Sequence, residues 1–184
     1  MIYKVIWSRR IWILLCLCMA GACTTTKSID TAIAIDAKPC AVYDVLADFD
    51  HYPDWNPYHI DVAGALEVGA QLKVRGSRPD GKVIDVPHVR VLEVERCRTL
   101  VWGGGVSGVF RGEHRFDLVP GPNNITQLSH TERFQGLFIG FADLPVDVLT
   151  QGYETMNEAL KVHIEADDAT DEHRSGRPSV PRSD

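Results

Sequence analysis

The sequence predicts an α+β domain in which a curved antiparallel sheet of seven strands wraps around one long C-terminal helix. Between residues 29 and 136, alternating apolar and polar residues form short strand-like segments separated by turn signals such as Pro-Asp-Gly and Pro-Asn-Asn. From Val146 to Glu165, apolar residues instead recur at helical spacing. Because one helix covers only part of such a sheet, a cavity is expected between them.

The predicted elements follow one another without a second domain. Residues 31–35 alternate as a strand, and residues 37–49 form a helix with Pro39 in its first turn. Pro53 and Pro57 end that helix in an aromatic-rich packed turn, in which Trp55 and Tyr58 are expected to pack away from any ligand. Six further strands are predicted within residues 59–66, 70–77, 83–95, 99–104, 108–120 and 125–136.

The first 22 residues are predicted to be an export signal peptide. A basic start without acids precedes the apolar run 11–22, which is shorter than the roughly 20 apolar residues of a membrane-spanning helix. Small residues stand directly before Cys23, so the segment resembles a lipoprotein signal in which Cys23 is the acylated residue. The alternative interpretations, an ordinary signal peptide or an uncleaved membrane anchor, are also compatible with the sequence. We expect a bacterial cell-envelope lipoprotein facing the periplasm or the cell exterior, with the inner or outer membrane undecided.

The boundaries and charge of the remaining chain limit its partners. Residues 23–28 are predicted to be a tether, residues 29–166 the domain and residues 167–184 a disordered tail. Removing the three basic residues of the leader changes the formal net charge of the 184-residue chain from −6 to −9, which argues against nucleic acid as a partner. A monomer without cofactor or metal is expected. Cys40 and Cys97 are not expected to pair, although the sequence leaves a disulfide open.

One charged and one apolar row define the two faces of the strand at residues 108–120. The row from Arg111 to Asp117 is wholly charged, so the row containing His114 faces the interior. In the last strand the corresponding inward row contains His130 and Glu132. An inward carboxyl group among apolar side chains is costly as a bare charge, so a histidine partner or a protonated state is expected.

The residues "VYDVLADFDHYPDWNPY" and "GEHRFDLVPGPNNITQLSHTERFQGLF" carry a family likeness. Together with the order of elements, they resemble the START-like or SRPBCC superfamily, whose polyketide cyclase-like members have the helix-grip fold. The resemblance covers residues 28–166. It implies an internal cavity, but not one function, because this fold hosts carriers, receptors and enzymes.

The candidate site consists of a few polar groups on an apolar wall, as ligand pockets usually show. We expect a small hydrophobic molecule or lipid to bind there, oriented by His114, His130 and Glu132. The predicted walls are Trp102, Phe110, Phe116, Phe134, Phe138, Phe141, Tyr153, Met156 and Leu160. Residues 137–142 are read either as core or as an apolar lid.

Three functions stay open at this stage. Ligand binding is favoured over catalysis; the alternative is a cyclase or hydratase-type enzyme with His114 or Glu132 as general base. The polar residues could instead form a buried network that only fixes the sheet, in a structural lipoprotein with a collapsed pocket. No nucleophile motif, phosphate loop or metal-ligand spacing points elsewhere.

Overall fold

The computed structural model describes residues 25–142 and 144–175, with side-chain burial described as far as residue 166. The predicted leader, Cys23 and the end of the predicted tail lie outside the described residues.

Seven antiparallel strands form one sheet in the order β1-β7-β6-β5-β4-β3-β2. The chain therefore runs as a meander from β2 to β7, and β1 closes the sheet beside the last strand. The predicted α+β helix-grip architecture is confirmed. The strands are β1 Thr25–Ile35, β2 His59–Ala63, β3 Gln71–Ser77, β4 Val83–Glu95, β5 Thr99–Val106, β6 Phe110–Pro120 and β7 Thr126–Gly136.

Within the residues that the structure describes, three α-helices accompany the sheet. Helix α1 (Pro39–Ala47) begins at a proline, whose missing N–H costs nothing in the first turn. A 3₁₀ turn then leads into the short α2 (Tyr52–Trp55), where Pro53 lies in the first turn and does not break the helix. The long α3 (Val146–Ser175) crosses the concave face of the sheet.

Both ends of the domain differ from the predicted boundaries. Residues 25–28, predicted as part of the tether, belong to β1 and pair with residues 133–136 of β7. Their Thr, Lys and Ser side chains need no core, because the backbone ladder and the neighbouring strand hold them. Residues 167–175, predicted as disordered, continue α3. A helix already nucleated extends at little cost per residue, even without an apolar face.

The core lies between α3 and the concave side of the sheet. Met156, Leu160 and Ile164 of α3 are buried there against Phe116 and Leu128 of the central strands. The spacing predicted from the sequence is therefore correct for the helix. Met156 and Leu160 are fully buried core residues, however, because the cavity lies nearer the N-terminal end of α3.

A bulge in β4 opens the sheet beside this core. Val74 of β3 pairs with Val86, whereas Leu72 pairs with Val89, so β4 carries an extra residue around His88. His88 has a left-handed φ of 58°. Its carbonyl oxygen would lie 2.3 Å from a Cβ at position 104, so only glycine fits opposite the bulge.

A disulfide joins Cys40 of α1 to Cys97 in the turn between β4 and β5. The sequence left this pairing open without favouring it, and the structure forms it. The two cysteines are 57 residues apart in sequence, and only the packing of α1 against that turn brings them together. A neighbouring ion pair, Arg96 with Asp44 at 3.1 Å, spans the same two elements.

We expect the Cys40→Ser/Cys97→Ser chain to lose about 2–4 kcal/mol of unfolding free energy, because the cross-link restricts the unfolded chain. Urea titrations with and without reductant measure this change. The reductant should destabilise the wild-type chain and leave the double variant unaffected. Arg96→Ala is the matched control, since an exposed ion pair contributes about 0–1 kcal/mol. Equal urea midpoints for wild type and double variant would contradict the role of the disulfide.

Candidate functional site

A cavity of about 300 Å³ lies between the sheet and the N-terminal part of α3. Its walls are mostly apolar or glycine and come from β3, β4, β5 and β6, from the segment before α3, and from α3 itself. Lining residues include Val74, Val86, Trp102, Phe110, Gly112, Phe134, Leu144 and Leu149. The bulge at His88 and the glycines 103–105 of β5 also line it. Because the glycines carry no side chains, the sheet leaves space for the cavity at this point.

Polar side chains from β6, β7 and α3 meet at one end of this cavity. His114 pairs with Glu132 across the two strands, and Phe116 pairs with His130. Both inward rows therefore match the predicted alternation. Helix α3 contributes Tyr153, whose hydroxyl lies 3.0 Å from Nδ1 of His114 and is hydrogen-bonded to Oε2 of Glu132.

These groups form one continuous buried hydrogen-bond chain. Its members, in order of contact, are Glu132, Tyr153, His114, His130, Asn157 and Thr31. A backbone carbonyl oxygen ends it, since the Thr31 hydroxyl donates to the carbonyl of His130 at 2.8 Å. His114, His130, Tyr153 and Asn157 are buried and the two ends, Glu132 and Thr31, are half-buried, so these hydrogen bonds meet the requirement that buried polar groups be paired.

The backbone carbonyl of His130, which can only accept, fixes which member of each hydrogen-bonded pair is the donor. Because the Thr31 hydroxyl donates its only proton there, its oxygen accepts from the Asn157 amide nitrogen at 3.0 Å. The Asn157 amide oxygen then accepts from Nδ1 of His130 at 2.7 Å. His130 in its neutral form therefore carries its proton on Nδ1 and has an acceptor at Nε2.

Donors and acceptors can be assigned in the same way from His130 to the carboxyl group of Glu132. Nε2 of His114 donates to Nε2 of His130 at 2.9 Å, which leaves Nδ1 of His114 as an acceptor for the Tyr153 hydroxyl. Tyr153 has only one proton. Where that proton goes to Nδ1 of a neutral His114, the tyrosine oxygen accepts from Oε2 of Glu132, and the carboxyl group is then the protonated partner. Every polar group in this hydrogen-bond chain then has a partner, and the group as a whole carries no net charge.

The pKa shifts agree with this neutral arrangement. Burial raises the pKa of Glu132 to about 8 and lowers the pKa of His114 to about 3. Burial also holds the pKa of His130 well below its ordinary value. The Glu132 side chain keeps 17% of its accessible surface, and Glu132 lines the cavity. Its Oε1 lies beside Gly112, where a Cβ would come within 3.1 Å.

The structure brings only some of the predicted site residues to the cavity. Those that line it are Trp102, Phe110, His114, Glu132, Phe134 and Tyr153. His130 lies behind His114 as the next member of the hydrogen-bond chain, and Phe116 packs in the core against Trp102. Met156 and Leu160 are core residues, as described above.

Phe138 and Phe141 are wrongly predicted as cavity walls. Their side chains are 57% and 88% exposed, and neither lines the cavity. The loop 137–142 is held by Ile139, which is fully buried while both phenylalanines point outward. An apolar stretch flanked by glycines does not reveal which of its side chains enters the core.

Sequence reasoning also missed several cavity and network residues. Tyr58 lines the cavity, contrary to the expectation that it packs elsewhere, whereas Trp55 is buried against His163. His59 lines the cavity too, edge-on to His114, and its Nδ1 has no hydrogen-bond partner among the described residues. Asn157 follows the apolar stripe of α3 by one position, a signal that was available but not used.

The model of the family described as "Polyketide cyclase / dehydrase and lipid transport" matches residues 26–165. The chain belongs to this family. The predicted START-like, SRPBCC resemblance is therefore confirmed, and with it a ligand-binding or polyketide cyclase-like domain. The match spans every strand and most of α3.

Solved structures show the same fold at low sequence identity. A protein of unknown function from Staphylococcus aureus is 12% identical, with a TM-score of 0.61 over 81% of this chain and 99% of that chain. A START superfamily protein from Mycobacterium smegmatis is 17% identical, with a TM-score of 0.56 over 76% and 97%. The di-domain ARO/CYC BexL, from the BE-7585A biosynthetic pathway, is 17% identical, with a TM-score of 0.56 over 76% and 50%.

Comparison with curated proteins gives no match. Within residues 25–142 and 144–175, no helix has the length and hydropathy to cross a membrane. The same residues contain no group of three His, Cys, Asp or Glu side chains arranged to hold a metal ion. The polar atoms of His114, His130 and Glu132 contact one another and Tyr153.

The buried carboxyl group predicts how stability depends on pH. Between its ordinary pKa and about 8, Glu132 is ionised in the unfolded chain but protonated in the folded one, so unfolding free energy falls as pH rises. The buried histidines His59, His114 and His130 act oppositely wherever their unfolded forms hold protons, an effect that fades only about one unit above their ordinary pKa of 6.5. We therefore expect a loss of roughly 0.5 kcal/mol per pH unit between about pH 7.5 and 8.5, less than the 1.4 kcal/mol per unit of one fully unequal group, because Glu132 is partly ionised in the folded chain there.

Urea titrations at several pH values across this range measure the slope, and Glu132→Gln provides the control. An amide cannot ionise, yet it can donate to the Tyr153 oxygen as the protonated acid does. The variant should lose the alkaline slope and keep the decline in stability at acidic pH. An alkaline slope that persists in Glu132→Gln would show that another group titrates.

Proposed function

We propose that the protein is exported, anchored to the bacterial cell envelope through lipidated Cys23, and binds a small hydrophobic or amphipathic molecule in its cavity. The observation that carries the binding proposal is an apolar cavity with a protonated carboxyl group on its wall. Burial of the ligand's apolar surface would supply most of the affinity, at about 25 cal/mol per Å². The carboxyl group would supply orientation.

The size of the cavity limits the ligand. A volume of about 300 Å³ is at the lower end of small-molecule sites, which span roughly 300–1,000 Å³. We therefore propose a ligand with one chain or one compact ring system, such as a fatty alcohol or a small polyketide-like compound. A lipid with two acyl chains would leave most of its surface outside the cavity.

The direction of the hydrogen-bond chain supports a ligand that carries a hydroxyl group. The Glu132 proton on Oε2 is committed to Tyr153, and Oε1 has no donor among the described residues. A protonated carboxyl group whose proton is already used offers an acceptor at its other oxygen. A ligand hydroxyl could therefore donate to Oε1 in the space that Gly112 leaves open.

The disulfide supports export. Structural disulfides persist in oxidising compartments such as the periplasm and are rare in the cytosol. Cys40 is exposed, so a reducing compartment would have access to the bond. This supports the cell-envelope location that the leader and Cys23 predict.

Acid–base catalysis of the cyclase or hydratase type is a second candidate, because one observation favours it. The pKa of Glu132, about 8, is near the operating pH, as a general acid or base requires. His114 is a poorer candidate than the sequence indicates, since both of its ring nitrogens are already hydrogen-bonded. Glu132→Gln would keep ligand binding under either function, whereas only an enzyme would lose turnover. A structural protein with a collapsed pocket is disfavoured by the cavity itself.

Filling the cavity tests the binding proposal. Leu149 lines it from α3 and is nearly buried, so Leu149→Trp should occupy the ligand's space. We expect native mass spectrometry of the Cys23→Ser full chain, purified without detergent, to show one apolar adduct that Leu149→Trp lowers at least about tenfold. Val162→Trp is the control, since Val162 is 66% exposed on the same helix. No adduct in the parent chain, even after incubation with decanol, would contradict binding.

The proposed hydroxyl recognition has its own test. We expect decanol to bind about tenfold more tightly than decyl methyl ether, because one hydrogen bond at a buried acceptor contributes about 1 kcal/mol or more. Calorimetric titration of both compounds measures the ratio. Glu132→Gln keeps an acceptor oxygen and should keep the preference, whereas Glu132→Leu should abolish it. A preference for the ether, or one unchanged in Glu132→Leu, would exclude Oε1 as the recognition group.

A further inference from the structure

Five exposed apolar side chains lie together at one end of the domain. They come from residues 106–109, which comprise the last residue of β5 and the β5–β6 turn, and from the loop 137–142 after β7. Neither segment contains a charged residue. The exposed fractions are 63% for Val106, 41% for Val109, 48% for Leu137, 57% for Phe138 and 88% for Phe141. Contiguous exposed apolar side chains of this kind mark protein or membrane contacts.

These two segments are built onto each other. The backbone N–H of Leu137 donates to the carbonyl of Gly108 at 3.0 Å, and that of Phe138 donates to the carbonyl of Val109 at 3.2 Å. Ile139 between them is fully buried and fixes the loop to the core. The apolar side chains are therefore held outward by a structured support.

The start of the first strand lies at the same end. Thr25 pairs with Gly136, the residue directly before the loop, and the Lys27 ammonium group donates to the carbonyl of Ala142 at 3.4 Å. Cys23 precedes Thr25 by two residues, which span at most about 7 Å. A lipid on Cys23 would therefore be held close to the apolar side chains.

We infer that Val106, Val109, Leu137, Phe138 and Phe141 form a docking face that rests on the lipid bilayer carrying the Cys23 anchor. This inference rests on the proposed anchoring. A lipid on Cys23 attaches the chain at one point, and a second, apolar contact would fix which face of the domain meets the bilayer. The docking face supplies such a contact at the position where the tether begins, which favours a bilayer over a protein partner.

The cavity lies behind this docking face. Gly105 and Phe110, which flank the β5–β6 turn, line the cavity, as do Leu144 and Pro145 after the loop. Docking would therefore place the cavity next to the hydrocarbon of the bilayer. An apolar ligand could pass between the two without crossing water, a transfer that would otherwise expose its surface.

Depth-dependent quenching tests the orientation directly. The full chain, with Phe141→Trp or with Val119→Trp, is reconstituted into phosphatidylcholine vesicles with and without brominated acyl chains. Val119 is the matched control: it is 57% exposed but lies near the C-terminal end of β6, at the other end of the strand from the docking face. We expect brominated lipid to reduce the emission added by Trp at position 141 about twofold, as for a side chain in the interface, and to leave position 119 unchanged.

Vesicle flotation of the same samples separates the possible failures. Flotation without selective quenching at position 141 would overturn the docking face and leave the anchor standing. Flotation that persists in Cys23→Ser, together with quenching at position 141, would support the face and assign the attachment to a group other than a lipid on Cys23. Chains that do not float would overturn both the anchor and the docking face, while decanol titration in solution reports independently on the cavity.

Discussion

The need to bury Glu132 without a net charge determines how β6, β7 and α3 are arranged at the polar end of the cavity. An ionised carboxylate at this depth would lose hydration that apolar neighbours cannot replace. Protonation removes that cost, but it then requires an acceptor for the proton, which Tyr153 provides from α3. Every later member of the hydrogen-bond chain follows from this first requirement. The position of α3 against β6 and β7 is therefore fixed by polar contacts as well as by packing.

The bulge in β4 complements this polar constraint with an open space. A regular ladder between β3, β4 and β5 would bring large side chains against α3 and fill the interior. The extra residue at His88 and the glycines opposite it leave the sheet bare at this point. The cavity and the polar cluster thus have separate structural causes, and they meet only at the wall formed by Gly112 and Glu132.

The sequence could predict what depends on local periodicity. Strand alternation placed His114, His130 and Glu132 on one inner face, because a half-buried strand leaves only two choices. Helical spacing identified the buried face of α3, but a period does not reveal which turn of the helix adjoins a void, so Met156 and Leu160 were misplaced. The Cys40–Cys97 disulfide and the roles of Tyr58 and His59 depend on how distant elements pack. No local pattern encodes that packing.

The hydrogen-bond chain begins at Glu132 in the last strand and ends at Thr31 in the first, where the Thr31 hydroxyl reaches a carbonyl 99 residues away. Contacts of such long sequence separation form late, since the chain between them must first be ordered. Asn157 of α3 must also be in place before Thr31 and His130 are both satisfied. A chain whose first strand has not yet joined the sheet therefore lacks the last members of this hydrogen-bond chain. Every polar group of the hydrogen-bond chain has its partner only when the domain closes on its own first strand.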